Sequence, residues 1–148
     1  MTTTPRNVLP KGVSANDFEQ ALAQIRAIVG AEYVVAEDTA LAPYNKIMMA
    51  VPDEQHAASA AVMPDSVEQI QAIMKVLNQH RIPVYPISTG KNLGYGSAAP
   101  VERGQLVMDL RRMNRILDVD ADLCTALVEP GVTYQQLYDY LQEKKLPL

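Results

Sequence analysis

The chain has 148 residues, of which 48% are hydrophobic and 20% charged, a balance that indicates a folded domain and excludes a disordered segment. Its net charge of −4, with no concentrated basic stretch, argues against a nucleic-acid partner. The longest mostly apolar run, residues 57–63, is too short to cross a bilayer, so no membrane partner is expected. The first twelve residues lack the apolar core of a secretory signal, which favours a cytoplasmic location.

Cysteine and histidine are sparse. The single cysteine, Cys124, cannot form an internal disulfide and lies beside an apolar run, which favours a small core or strand-end residue over a reactive thiol. His56 and His80 stand alone, without cysteine or carboxylate at ligand spacing. We therefore expect surface imidazoles and no metal site.

Residues 1–52 are predicted to form a helical preamble. Ser14 and Asn16 offer N-caps for a helix whose apolar positions recur with a period near 3.6, and Gly30 ends it. A short strand at residues 33–36 follows. Residues 43–49 are predicted to be irregular, and Pro52 and Asp53 mark a turn.

Residues 53–148 are predicted to alternate strands and helices. Two prolines, Pro83 and Pro86, place the second strand at a sheet edge or make it a strand entry, because they cannot donate to a ladder. The order β-α-β, then further strands, then a helix predicts an α+β fold and not a doubly wound parallel sheet. The predicted strands are residues 60–63, 82–87, 106–110, 116–119 and 125–128.

Two capping boxes begin the helices of this second part. One pairs Ser66 with Gln69, and the other pairs Thr133 with Gln136. The last helix is predicted to face inward through four positions at helical spacing, Tyr134, Leu137, Tyr138 and Leu141. Because a strand is predicted to begin directly after this helix, we expect the sequence to be the N-terminal part of a longer chain and residues 53–148 to be an incomplete domain.

Residues 88–97 form a glycine-rich segment with the residue types of a phosphate site. It holds three of the chain's seven glycines, Gly90, Gly94 and Gly96. Glycine permits positive φ and a close approach of backbone N–H groups to a ligand, and successive N–H groups form a nest for a phosphate. Lys91 could add a positive charge, and the neutral donors are Ser88, Thr89, Asn92 and Ser97. The pattern is neither the dinucleotide fingerprint nor the P-loop. A flexible surface connection is the alternative.

A second break lies at residues 128–133, where Pro130 and Gly131 separate a predicted strand from a capped helix. Such a break presents backbone amides at a helix start, where an anion or a cofactor can bind. An ordinary strand-to-helix turn is the alternative.

These segments together resemble a known family. Residues 86–100, PISTGKNLGYGSAAP, are similar to the diphosphate-binding loop of the vanillyl-alcohol oxidase and para-cresol methylhydroxylase flavoproteins. Residues 106–110, 113–116 and 128–133 match that family in the same order. Within the preamble, LPKGV at residues 9–13 and PYNKIMM at residues 43–49 resemble the branch that acts on 4-alkylphenols. The resemblance runs nearly end to end and implies the first part of an FAD-binding domain of the para-cresol methylhydroxylase type.

The resemblance implies a set of cofactor contacts. FAD is the expected cofactor, and residues Gly131 and Val132 are expected to contact it by backbone. Its diphosphate is expected to be wrapped by Ser88, Thr89, Gly90, Lys91, Asn92, Leu93, Gly94, Tyr95, Gly96 and Ser97. The covalent flavin attachment and the rest of the phenolate site come later in the family and are absent from these 148 residues.

The resemblance also implies a reaction. Tyr95 is expected to hold the phenolic oxygen of a 4-alkylphenol substrate as phenolate, while hydride leaves the benzylic carbon and a quinone methide forms. Electrons are expected to pass to a cytochrome c subunit within an oligomer, and that pairing would also be compatible with a periplasmic location. The alternative enzyme is a vanillyl-alcohol or eugenol type of oxidase that uses oxygen. The alternative of another class is a small α+β anion-binding or regulatory module.

Overall fold

The computed structural model describes residues 8–47, 50–91 and 97–146. It contains four α-helices within those ranges: α1 (Ala15–Val29), α2 (Ala42–Asn45), α3 (Val67–Gln79) and α4 (Tyr134–Glu143). Its strands are β1 (Val34–Val35), β2 (Ala60–Val62), β3 (Val84–Ile87), β4 (Leu106–Asp109), β5 (Ile116–Asp120) and β6 (Thr125–Val128). The predicted α+β class is confirmed, and every predicted strand and helix forms within a few residues of its expected bounds. The prediction that residues 43–49 are irregular is wrong at its start, because α2 includes Pro43 in its first turn, where proline is tolerated.

Local sequence signals set the helix ends. The Ser14 side chain accepts a hydrogen bond from the amide of Asp17 at the start of α1, and Gly30 ends that helix at φ +96°. At α4, Thr133 and Gln136 form the complete predicted capping box. At α3 only half of the predicted box forms, because the Gln69 side chain accepts from the amide of Asp65 and not from that of the N-cap residue.

The main sheet has the strand order β1-β2-β4-β3. Strands β2, β4 and β3 run parallel, and β1 pairs antiparallel with β2. β3 therefore lies at an edge, as its prolines predict. β5 and β6 form a separate antiparallel hairpin.

Both faces of the main sheet are covered. On one face, α1 and α3 contribute Phe18, Leu22, Ile25, Ile73 and Leu77 to a core with Ala60, Val62, Leu106 and Met108. On the other face, Leu41 and Tyr44 pack against Ala61, Val107 and Ile87. Residues of the preamble therefore complete both cores. None of the helices in the described ranges is long and apolar enough to span a membrane.

The prediction that α4 faces inward is wrong for Tyr134 and Tyr138. Tyr134 is 94% exposed and Tyr138 is 57% exposed, while Leu137 and Leu141 are half-buried. All four residues of β6 are exposed as well. Helical spacing marks one face of α4, but no element of the described chain covers the two tyrosines. Cys124 is also exposed, in the turn between β5 and β6, so it is not a core residue.

Candidate functional site

The glycine-rich segment begins where β3 ends. Ser88 and Lys91 are exposed, and Thr89 is half-buried. Gly90 has φ +71°, and a Cβ at this position would lie 2.8 Å from the Cβ of Ala98. Gly90 and Ala98 therefore lie in direct contact. A side chain at position 90 would push the two positions apart.

The middle of this segment falls outside the described residues. It comprises Asn92, Leu93, Gly94, Tyr95 and Gly96. The roles that the resemblance implies for them, including substrate binding by Tyr95, stay predictions. On the far side, the described chain resumes at Ser97, whose hydroxyl accepts a hydrogen bond of 3.1 Å from the amide of Ala99.

Gly131 is packed tightly against the chain that follows β4. A Cβ here would overlap the carbonyl oxygen of Leu110 and would lie 2.8 Å from that of Met113. The Gly131 amide donates to the Met113 carbonyl at 2.7 Å, and the Val132 amide donates to the Glu129 carbonyl at 3.1 Å. Because both amide protons are used within the chain, a cofactor contact by Gly131 or Val132 would use their Cα or carbonyl groups.

Leu110 contacts both the residue before the glycine-rich segment and the Gly131 turn. Its amide donates to the carbonyl of Ile87, the residue before Ser88, at 2.9 Å. Its own carbonyl oxygen is the atom that a Cβ on Gly131 would overlap. Ser88 and Gly131 therefore lie on either side of Leu110, at the carboxyl ends of the parallel strands β3 and β4. In open parallel sheets, this is the end at which ligands bind.

A buried carboxylate that the sequence analysis missed lies at the same end. Asp109 is fully buried, and its Oδ2 accepts from the Tyr44 hydroxyl at 2.8 Å and from the Arg111 Nε at 2.7 Å. Nη2 of Arg111 lies 2.6 Å from the same oxygen, and the Arg111 amide donates to Oδ1 at 3.1 Å. Burial, and then the hydrogen bond to Asp109, raise the pKa of Tyr44, so its hydroxyl remains a donor. An acidic residue inside the apolar run of residues 106–110 was the available signal.

A second ion pair lies just before Gly131 in the chain. Glu129 is only 7% exposed, and its Oε1 accepts from Arg115 Nε at 2.9 Å and Nη2 at 2.6 Å. Its Oε2 accepts from the Arg115 amide at 2.8 Å, and the Glu129 amide donates back to the Arg115 carbonyl at 2.9 Å. These four bonds join Arg115, the residue before β5, to Glu129, the residue after β6. They thereby fix the position of Pro130, which precedes Gly131.

The Glu129–Arg115 pair predicts a pH-dependent stability. The Arg115 guanidinium, and then the Arg115 amide, hold the pKa of Glu129 below its ordinary value of 4.5. A lowered pKa in the folded state means that the stabilisation is complete above about pH 4.5 and is lost as the pH falls through the folded-state value. Glu129→Gln should therefore lower the melting temperature of the full chain at neutral pH, and the gap to wild type should close towards pH 3.

The exposed carboxylate of Glu143 on α4 offers a matched control. Glu143→Gln should leave the melting temperature close to wild type across the same pH range. A gap between Glu129→Gln and wild type that stayed constant down to pH 3 would contradict a charged role for Glu129.

The described residues at this end of the sheet fit a flavin diphosphate. Ser88, Thr89 and Ser97 supply neutral hydroxyl donors, and Lys91 supplies a positive charge. The positive φ of Gly90 gives the backbone a turn that most side chains disfavour. Neutral donors, one cation and a glycine turn are the groups that bind a diphosphate.

Comparison with protein families agrees with this donor set. The family described as "FAD binding domain" matches residues 58–148, which is more than half of the chain. The chain belongs to this FAD-binding family, and its cofactor is FAD.

Individual relatives refine the similarity. The chain is 54% identical over 141 residues to the flavoprotein subunit of 4-cresol dehydrogenase (hydroxylating) from Pseudomonas putida, across 95% of this chain and 27% of that protein. It matches a crystal structure of p-cresol methylhydroxylase with substrate bound at a TM-score of 0.91, with 54% identity and the same coverage. A 4-ethylphenol oxidase from Gulosibacter chungangensis matches at a TM-score of 0.87, with 34% identity over 93% of this chain and 27% of that one.

These similarities confirm the family resemblance seen in the sequence. The chain spans about a quarter of the length of these relatives, at 27% in each case. The similarity includes the preamble as well as the part that the FAD-binding family matches.

Proposed function

We propose that this chain forms the first part of an FAD-dependent oxidoreductase that oxidises or hydroxylates 4-alkylphenols such as para-cresol. The observation that carries the proposal is the 54% identity, over 95% of the chain, to the flavoprotein subunit of a hydroxylating 4-cresol dehydrogenase. The relative solved with substrate bound is a p-cresol methylhydroxylase. The FAD-binding family match disfavours a small anion-binding or regulatory module without flavin.

The cofactor contacts follow from the carboxyl end of the sheet. We assign the FAD diphosphate to Ser88–Ser97, with backbone contacts at Gly131 and Val132. The position of Ser88 directly after β3, and the contact of Leu110 with both Ile87 and Gly131, support this assignment. Bound FAD would supply the acceptor for the hydride that the substrate loses.

Tyr95 is the residue of this chain that we assign to the substrate. Its hydroxyl would donate to the phenolic oxygen, which favours the phenolate and fixes the ring in one orientation. A phenolate para to the benzylic carbon releases electron density as hydride leaves, so the substrate becomes a quinone methide. The role of this chain is then to ionise and orient the substrate.

The electron acceptor separates two enzyme classes. The relative from Pseudomonas putida is the flavoprotein subunit of a dehydrogenase, which supports an assembly of several subunits. We propose a cytochrome c subunit as the partner. The 34% identity to a 4-ethylphenol oxidase supports the alternative, an oxidase that uses oxygen. A cytochrome c partner would be compatible with a periplasmic location.

The test uses the full-length flavoprotein that carries this segment. Purified protein is expected to show flavin absorbance that para-cresol bleaches without oxygen, and reoxidation should be fast with a cytochrome c and slow with oxygen. Toluene, which is para-cresol without the phenolic oxygen, is the matched control substrate and should bleach the flavin poorly. Rapid reoxidation by oxygen alone would assign the protein to the oxidases, and no bleaching by any 4-alkylphenol would overturn the proposed substrate class.

A further inference from the structure

Tyr44 lies outside the part of the chain that matches the FAD-binding family, yet it contacts that part through a buried hydrogen bond. The family match begins at residue 58, whereas α2 spans Ala42–Asn45. The Tyr44 hydroxyl crosses to the end of β4 and donates to Asp109 Oδ2 at 2.8 Å. Asn45 adds a second link, because its side chain accepts from the amide of Ala58 at 2.9 Å.

Three donors converge on one oxygen of Asp109. They are the Tyr44 hydroxyl and the Nε and Nη2 atoms of Arg111. Asp109 is fully buried, whereas the side chain of Arg111 is half exposed, so the carboxylate depends on these donors in place of water. Removing one donor leaves a buried charge incompletely satisfied and weakens the arrangement that the other donors maintain.

Asp109 also sits where the cofactor segments meet. In the register of the sheet it pairs with Ile87, the residue before Ser88. The next residue, Leu110, donates to the carbonyl of Ile87 and packs against Gly131. A shift of Asp109 would therefore move the start of the glycine-rich segment and the Gly131 turn together.

We infer that Tyr44, Asp109 and Arg111 form a latch that couples the α2 segment to the cofactor end of the sheet, with Asp109 as its positioning residue. The inference rests on the proposed function, since it takes FAD to bind at this end. By linkage, the coupling is reciprocal: if an intact latch strengthens FAD binding, bound FAD must stabilise the α2 segment by the same factor.

The decisive variant is Tyr44→Phe, because it removes one hydroxyl and keeps the buried ring. Apoprotein of the full-length chain is mixed with FAD, and the initial reversible quenching of flavin fluorescence gives the dissociation constant. We expect Tyr44→Phe to bind FAD more weakly by a factor on the order of ten, within the usual range for coupling between sites. Tyr33→Phe is the matched control, since Tyr33 is a half-buried tyrosine whose ring covers Arg112.

Hydrogen exchange supplies a readout that a merely structural role would not change. In the wild type, FAD should slow amide exchange in a peptide covering residues 41–47, and in Tyr44→Phe this protection should disappear. Arg111→Lys tests the latch at its half-exposed residue. We expect this variant to lose less FAD affinity and less amide protection than Tyr44→Phe. This variant keeps the positive charge but loses the second nitrogen that contacts Asp109.

The outcomes separate the latch from the proposed function. If wild type binds FAD and both Tyr44→Phe and Arg111→Lys keep its affinity and its protection of residues 41–47, the latch is overturned and the proposed function stands. If wild-type apoprotein binds no FAD, the proposed function fails and the latch fails with it. A loss of affinity in Tyr44→Phe, with Tyr33→Phe unchanged and protection lost, establishes the coupling.

Discussion

Gly131→Ala is expected to destabilise the full chain by about 3 kcal/mol or more and to prevent stable FAD loading. The added Cβ would overlap the Leu110 carbonyl oxygen and would lie 2.8 Å from the Met113 carbonyl oxygen. Both neighbours are backbone atoms, so they cannot rotate away as a flexible side chain would. Their displacement would also disturb the bond from the Leu110 amide to Ile87, next to the proposed diphosphate site. Urea unfolding gives the loss of stability, and the ratio of flavin to protein absorbance gives the cofactor content.

Gly12→Ala is the matched control for this prediction. Gly12 has φ +77°, and no described atom beyond its two chain neighbours lies within 4 Å of a Cβ placed there. Alanine at this position pays only the left-handed backbone cost of about 1–2 kcal/mol and should retain FAD. If Gly131→Ala lost no more stability than Gly12→Ala and kept its flavin, tight packing around Gly131 would not be the reason for glycine at that position.

Tyr95→Phe is expected to slow flavin reduction by a 4-alkylphenol by about one to two orders of magnitude. A hydrogen bond to a charged group contributes roughly 1.5–3 kcal/mol. If the Tyr95 hydroxyl donates to the substrate phenolate, its removal costs that energy in the step that forms the quinone methide, where each 1.4 kcal/mol corresponds to about tenfold in rate. The measurement is stopped-flow reduction without oxygen, after the flavin content has been shown to equal that of wild type.

Tyr85→Phe controls for the loss of a tyrosine hydroxyl near the segment. Tyr85 lies in β3 and is half-buried against the core that contains Leu41 and Tyr44, and none of the contacts proposed above uses its hydroxyl. This variant should reduce at the wild-type rate. An unchanged reduction rate and substrate affinity in Tyr95→Phe would remove Tyr95 from the substrate site, even with the FAD assignment intact.

Helix ends were predictable because their signals act over a few residues. Ser14 and Thr133 each bond to an amide three positions later, and Gly30 reaches a backbone angle that other residues disfavour. The edge position of β3 was predictable for a similarly local reason, since proline lacks the donor that an interior strand needs. The family and the FAD cofactor were predictable from the glycine-rich segment and the motifs that accompany it.

Other features depend on pairs of residues that are far apart in the sequence. Asp109 bonds to Tyr44 across 65 positions, and no local pattern around either residue identifies the other as its partner. The motif predicts that the amides of Gly131 and Val132 are open to a cofactor, but the carbonyls of Met113 and Glu129 accept them.

The sequence by itself determined the α+β class, the starts of α1, α3 and α4 and the membership of an FAD-binding family, and it favoured an edge position for β3, because each depends on short-range backbone chemistry or on contiguous motifs. It did not determine α2, whose residues were predicted to be irregular. Only the tertiary structure decided that β4 enters between β2 and β3 although it follows both in the chain. It also decided that Tyr134 and Tyr138 stay exposed, and that Tyr44 meets Asp109 beside the proposed cofactor site. Strand order, burial and ion pairing are set by which surfaces meet after folding, and periodicity along one segment does not specify its partner.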